Sequence, residues 1–230
     1  MNIIITGASR GIGRQLALNL AGREGNKVIA ISRDEKKLNS LRNEVADASK
    51  IIPVPFDLQQ GDYDDLAIDI RRHFSEIHVL VNNAGVLINK KIAHLTADDF
   101  DLMMNINVKA AFLLSQALIP LFEPESHIVN ISSMGGFQGS AKFPGLSLYS
   151  ASKGALAILS ECLAEELRDY GISVNCLALG AAQTEMLTKA FPGYKAPLSA
   201  KEMASFIADF AMTGQRYFNG KILPLSLSTP

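Results

Sequence analysis

Asn2-Ile3-Ile4-Ile5-Thr6-Gly7-Ala8-Ser9-Arg10-Gly11-Ile12-Gly13 passes from a short apolar run, through a glycine turn, into a helical pattern. The β-branched run reads as a buried strand, and the periodicity after Gly11 reads as a helix. Glycines at Gly7, Gly11 and Gly13 permit a tight turn, close backbone approach to a pyrophosphate, and tight helix–strand packing. The helix start adds unpaired N–H groups and a positive dipole end, so Ser9, Arg10, Gly11 and Ile12 border a natural phosphate site. Placement after a strand and at the head of a βαβ unit makes this a nucleotide-binding turn.

The alternation continues outward from that unit. Strand-like runs fall at 2–5, 27–31, 51–55, 78–81, 127–131, 173–177 and 221–225. Helical patterns fall at 12–23, 35–45, 66–74, 97–121, 149–170 and 200–213. Near-continuous apolarity in the strands implies a parallel sheet covered on both faces. Strand–helix alternation at this spacing implies right-handed crossovers. The predicted fold is α/β: a Rossmann-type doubly wound, mainly parallel sheet of about seven strands, flanked by helices on both faces. With no repeat or linker, residues 1–230 read as one domain.

Composition narrows the function. A net charge of −1 over 230 residues provides no basic face to neutralise phosphates, which argues against a nucleic-acid partner. Cys162 and Cys176 read as two reduced, buried thiols of a cytosolic protein. The four histidines are scattered and form no ligand pattern, so no metal site is expected. The apolar stretch at 110–122 contains Ser115, Gln116 and Pro120 and is too short to span a bilayer, so it reads as a buried helix. With no targeting segment at the start, a cytoplasmic protein with no membrane partner is expected.

Charge also bears on which nucleotide fits. An acid closing the second strand would bind both ribose hydroxyls and repel a 2′-phosphate. Here Ser32 and Arg33 stand at that point, and Arg10 can approach from the glycine turn. Two guanidiniums suit a 2′-phosphate, so NADP(H) is preferred and NAD(H) remains open. Asp34 is expected to point elsewhere. Further along, Tyr149 and Lys153 lie four apart at the head of a helix, hence on one face. A neighbouring ammonium would draw a phenol pKa of about 10 toward the working range.

Together these residues identify the chain as similar to the short-chain dehydrogenase/reductase family, in its single-domain branch of oxoacyl and carbonyl reductases. The resemblance covers essentially the whole chain. Gly7, Gly11 and Gly13 match the TGxxxGxG turn, Tyr149 and Lys153 the YxxxK motif, and Asn83, Ala84 and Gly85 the NNAG motif that lines the cofactor and steadies the sheet. It implies that Asp57, followed by Leu58, contacts the adenine, with a helix cap as the rival role for Asp57. Asn107 matches the asparagine of a proton relay, Asn105 being its rival. Ser133 matches the serine that orients a carbonyl oxygen, with Ser132 as the alternative hydroxyl. Gly180, Ala182 and Thr184 fall where the family receives the nicotinamide end. By resemblance Tyr149 protonates a carbonyl oxygen, Lys153 lowers its pKa and binds ribose hydroxyls, and Asn107 holds a water that feeds Lys153.

The resemblance implies NADPH-dependent reduction of a ketone or a thioester-linked 3-oxoacyl group. Oxidation of a sugar or steroid alcohol, or cofactor sensing without turnover, are the competing readings. A homodimer or homotetramer is expected through the 97–121 and 149–170 helices, with Phe112, Leu113, Leu156, Leu159 and Leu163 as surplus apolar side chains. Three departures from the family stand out. Leu179 replaces the usual proline before Gly180, which should loosen the backbone there. The Ser133–Tyr149 interval is longer than usual. The segment from Thr184 to about Ala200 is short, which should leave the pocket open, and the usual Asp-Gly-Gly tail is missing after Gly220.

Overall fold

The computed structural model describes residues 1–227. Its strands are β1 (Asn2–Thr6), β2 (Lys27–Ser32), β3 (Ile51–Pro55), β4 (Ile77–Asn82), β5 (Phe122–Ser133), β6 (Ser173–Leu179), β7 (Ala182–Gln183), β8 (Leu198–Ser199) and β9 (Ile222–Leu225). Its α-helices are α1 (Gly11–Ala21), α2 (Glu35–Arg42), α3 (Tyr63–His73), α4 (Ala97–Met104), α5 (Ala110–Leu118), α6 (Ser147–Glu166), α7 (Glu185–Ala190) and α8 (Ala200–Thr213). Seven strands form one sheet in the order β3-β2-β1-β4-β5-β6-β9, and every pairing is parallel. The order reverses between β1 and β4, the switch point where open α/β sheets bind ligands beyond their carboxyl ends.

Alternation along each strand feeds two cores. Ile3, Ile5, Val28, Ala30, Val79 and Val81 face Leu16 and Leu20 of α1, Leu38 and Leu41 of α2, and Met203 and Ile207 of α8. Ile4, Ile29, Leu80 and Ile128 face the other way, onto Ile70 of α3, Leu114 and Leu118 of α5, and Leu163 of α6. Both layers are built from buried apolar side chains, which explains why the strands read as unbroken apolar runs.

Several expectations need correction. β5 starts at Phe122, five residues before the apolar run, because Ile77 pairs with Phe122 ahead of a register shift. The intervening polar residues include Glu125, whose φ of 69° interrupts regular pleating. The 97–121 helix is a continuous rod, but it relaxes into a π-turn at Asn105–Lys109 before α5 resumes. By length and composition this rod could cross a membrane; here Leu114, Leu118 and Leu121 are buried in the second core, as the apolar stretch predicted. Cys162 is exposed rather than buried, lying on the outward stripe of α6; Cys176 is buried as expected. Leu156 and Leu163 are also buried within the chain, so they are not surplus surface. The large exposed apolar residues on α4, α5 and α6 are Phe100, Phe112 and Ile158.

Candidate active site

The site forms where β1, β4, β5 and β6 end. Gly7 (φ +69°) and Gly11 (φ +55°) take left-handed backbone at the turn, where a side chain would be strained. A Cβ on Gly7 would lie 2.8 Å from Ala84 Cα, and one on Gly13 only 2.4 Å from both Asn83 Nδ2 and Gly7 O. The turn therefore packs against the Asn83–Ala84 backbone. Thr6 Oγ1 accepts hydrogen bonds from the N–H groups of Asn83 (3.1 Å) and Ala84 (3.0 Å). Asn83 Nδ2 donates to Thr6 O at 2.9 Å. Asn82 Nδ2 donates to Asn130 Oδ1 at 2.8 Å, so the Asn-Asn pair clasps three adjacent strands, steadying the sheet as the resemblance implied.

At the start of α1 no side chain caps the helix and its first turn carries no acid. Its N–H groups are thus left for an anion. Thr184 closes the other side of the turn, its Cγ2 3.6 Å from where a Cβ on Gly11 would sit. Thr184 Oγ1 also caps α7, accepting from Leu187 N. Ser32 is buried and its Oγ accepts from Asp34 N (3.2 Å). Asp34 caps α2 through Lys37 N (3.0 Å), so its carboxylate is engaged away from the cleft, as expected. Arg33 is exposed and makes no ion pair among the described residues. Arg10 is exposed and faces Glu185 of α7, 3.8 Å away. Asp57 Oδ1 accepts from Gln59 N (2.9 Å) in a turn; the helix cap suggested as its rival role falls to Asp62. Beside it, Leu58 O accepts from Tyr63 Oη at 2.6 Å. These features fit a dinucleotide: glycine backbone open to a pyrophosphate, an uncapped helix end, and no acid at the end of β2.

The second half of the site comes from β5, α6 and the π-turn. Neighbouring residues of a strand face opposite ways, and this separates the two serines. Ser132 Oγ is buried and donates to Lys153 O (2.7 Å), which commits it to holding α6. Ser133 turns to the cleft, where its Oγ accepts from Gly135 N (3.2 Å) and its hydroxyl acts to lower the pKa of the neighbouring Tyr149 phenol. The π-turn separates the two asparagines in the same way. Asn107 is buried; its Oδ1 accepts from Val86 N (2.8 Å), while its Nδ2 donates to Val86 O (3.0 Å) and Ser152 Oγ (2.9 Å). Asn105 takes no part.

Lys153 is fully enclosed, and its Nζ donates to Ile131 O at 2.8 Å. A Cβ on Gly85 would lie 3.3 Å from both Lys153 Nζ and Asn107 Oδ1, so the three meet at one point. Burial lowers the lysine pKa to about 8, opposed by the nearby Cys176 thiol. Burial raises the Tyr149 pKa, opposed by the neighbouring Ser133 hydroxyl. The Lys153 ammonium is bonded to the Ile131 carbonyl, and Tyr149 is acted on here by its burial and by Ser133.

Leu179, expected to loosen the backbone, is buried at the end of β6 and pairs with Ser133 on one side and Leu225 on the other. Gly180 N then donates to Leu225 O (2.8 Å), so the sheet itself fixes this backbone. Ala182 is buried at the start of β7. The short segment beyond Thr184 also reaches farther than expected. It forms α7, and Asn89 Nδ2 donates to Ala190 O (2.9 Å), tying the helix to the loop after β4. The Ser133–Tyr149 interval walls a cavity of about 530 Å³ lined by Phe137, Phe143, Leu146 and Ser150, but Ser133, Tyr149 and Lys153 do not line it. Thr6, Ser152, Val86, Asn89 and Glu185 escaped sequence reasoning. The threonine hydroxyl at a strand end was the one available signal among them; the rest work through tertiary contacts.

A family model described as short chain dehydrogenase matches residues 1–195, and the chain belongs to that family. It is 28% identical over 219 residues to an uncharacterized oxidoreductase of Staphylococcus aureus (strain N315), covering 94% of this chain and 92% of the relative. A dehydrogenase/reductase structure from Sinorhizobium meliloti 1021 superposes with a TM-score of 0.86 at 26% identity, covering 97% of this chain and 92% of the other. A short chain dehydrogenase from Burkholderia cenocepacia J2315, solved in complex with NADP, superposes at 0.83 and 26% identity, covering 97% and 95%. The chain is thus an oxidoreductase with a Rossmann-type sheet.

Proposed function

We propose that this oxidoreductase uses NADPH to reduce a carbonyl substrate of the ketone or 3-oxoacyl type, with Tyr149 as the proton donor. The observation that carries the reading is the enclosed Lys153, whose Nζ meets Asn107 Oδ1 at Gly85, with the Ser133 hydroxyl acting on the Tyr149 phenol beside it. The glycine turn and the α1 N-terminus would hold the pyrophosphate, Arg10 and Arg33 the 2′-phosphate, Asp57 the adenine, and Gly180, Ala182 and Thr184 the nicotinamide end. Bound there, the nicotinamide supplies the hydride. The NADP in the Burkholderia cenocepacia structure supports this choice of cofactor.

The chain's own groups then manage the proton. Ser133 Oγ accepts from Gly135 N, and its hydroxyl would orient the substrate oxygen. A phenol whose pKa burial has raised is protonated at neutral pH, the state a donor needs when an alkoxide develops. Burial lowers the Lys153 pKa to about 8, so this ammonium can exchange its proton near neutrality. Asn107 keeps the Val86 backbone and the π-turn fixed around that ammonium. The free thiols Cys162 and Cys176 suit a cytoplasmic setting, and exposed Phe100, Phe112 and Ile158 suit a homodimer or homotetramer built on α4–α5 and α6.

The test is NADPH oxidation with a panel of ketones and 3-oxoacyl thioesters. Tyr149→Phe is expected to lower kcat by about 10²–10⁴-fold with cofactor affinity unchanged. Undiminished turnover in that variant, or no carbonyl reduced by the wild type, refutes the reading.

A further inference from the structure

The proposed function asks Arg10 to meet a 2′-phosphate, yet in this structure Arg10 Nη1 faces Glu185 Oε2 at 3.8 Å. The pair joins two distant parts of the chain. Arg10 is the N-cap residue of α1, and Glu185 opens α7 directly after Thr184. Thr184 lies against Gly11, so the first turn of α7 stands at the rim of the glycine turn. Both side chains are more than half exposed (56% and 66%), and either is free to exchange its partner. Arg33, the second guanidinium at that end of the cleft, has no such internal partner among the described residues. The far end of α7 is held independently, through Asn89 Nδ2 and Ala190 O, and Gln183 Oε1 accepts from Ala196 N (2.9 Å) to brace the segment.

Resting on the NADPH reading, we infer that Glu185 is an internal competitor for the cofactor's 2′-phosphate, and so a specificity-determining residue. A phosphate entering beside Arg10 displaces the carboxylate and also feels its negative charge; a ribose 2′-hydroxyl does neither. Glu185 therefore lowers affinity for phosphorylated cofactors selectively. By linkage, the phosphate loosens the N-terminal tether of α7 by the same factor. Cofactor type is thereby coupled to how firmly the start of α7 is held.

Calorimetry on the full chain tests this without turnover, using adenosine 2′,5′-bisphosphate and adenosine 5′-monophosphate as probes, then NADPH and NADH. An exposed ion pair of this kind is worth about a two- to five-fold change in affinity. Glu185→Gln is expected to tighten the bisphosphate and NADPH by that factor and to leave the monophosphate and NADH unchanged. In an Arg10→Met background the same substitution is expected to have no effect. An equal gain for all four ligands, no gain for any, or a gain that survives in Arg10→Met overturns the inference. A wild type that binds NADH as well as NADPH overturns the cofactor reading instead. A Glu185→Gln gain confined to the ligands that carry a 2′-phosphate would even then uphold the role of Glu185.

Discussion

Acidification is expected to weaken this fold through one residue, His127. Its ring is fully enclosed between β5, β6 and α8, with Nδ1 bonded to Ala211 O (3.1 Å) and Nε2 to Asn175 Nδ2 (3.0 Å). The amide is a donor, so Nε2 accepts, the proton sits on Nδ1, and the imidazole is neutral. Burial lowers its pKa from 6.5 to about 4, slightly opposed by the Ala211 carbonyl. The folded protein then binds fewer protons here than the unfolded chain. Stability from this site is complete above about pH 6.5 and is lost as pH falls toward about 4. A shift of this size corresponds to about 3 kcal/mol at full titration and about 2 kcal/mol between pH 7 and 4.5, a large share of a typical domain's stability. Urea denaturation at a series of pH values, on wild type and His127→Gln, isolates the effect. The substitution itself costs something at every pH, so the slope is the quantity to read. The wild type should lose about 2 kcal/mol more than the variant over that range. Parallel slopes would refute the reasoning, because the exposed carboxylates and the other three histidines are common to both proteins.

Two substitutions probe the frame of the site. Gly13→Ala places a methyl 2.4 Å from Asn83 Nδ2 and Gly7 O and should destabilise by about 1–3 kcal/mol, with cofactor affinity lost alongside; a variant that melts and binds like wild type would show that the turn yields freely. Asn107→Leu removes the hydrogen bonds to Val86 and Ser152 and strands those backbone groups, for a cost of about 2–4 kcal/mol in thermal or urea unfolding. An unchanged midpoint would mean that Val86 finds other partners.

How much of this was legible in the chain depended on how local each cause is. The glycine turn reads directly, because positive φ at Gly7 and Gly11 and the missing Cβ at Gly13 are demands that only one residue type meets. The strands read well because both faces of the sheet are covered, so apolarity alone marks them. The start of β5 did not read, since Glu123-Pro124-Glu125 has no strand character and lies between Phe122, paired with Ile77 of β4, and the regular pairing that resumes at His127. Cys162 was misplaced because helical spacing sets a stripe's position only when the face turned inward is known.

The choice between Ser132 and Ser133, and between Asn105 and Asn107, was beyond local reasoning for a shared reason. Each pair offers the same chemistry one or two residues apart, and the answer lies in partners far along the chain. Ser132 is taken by the α6 backbone at Lys153 O, which leaves Ser133 for the phenol. Asn107 is taken by Val86, twenty-one residues earlier. The π-turn is what makes the second contact possible. Adding a residue to one helical turn shifts the side-chain register, and Asn107 swings toward the β4 loop while α5 resumes with Leu114 and Leu118 in the core. A regular helix over the same residues could not present both faces correctly. The irregular turn is therefore the feature that lets one helix serve the core and the site together.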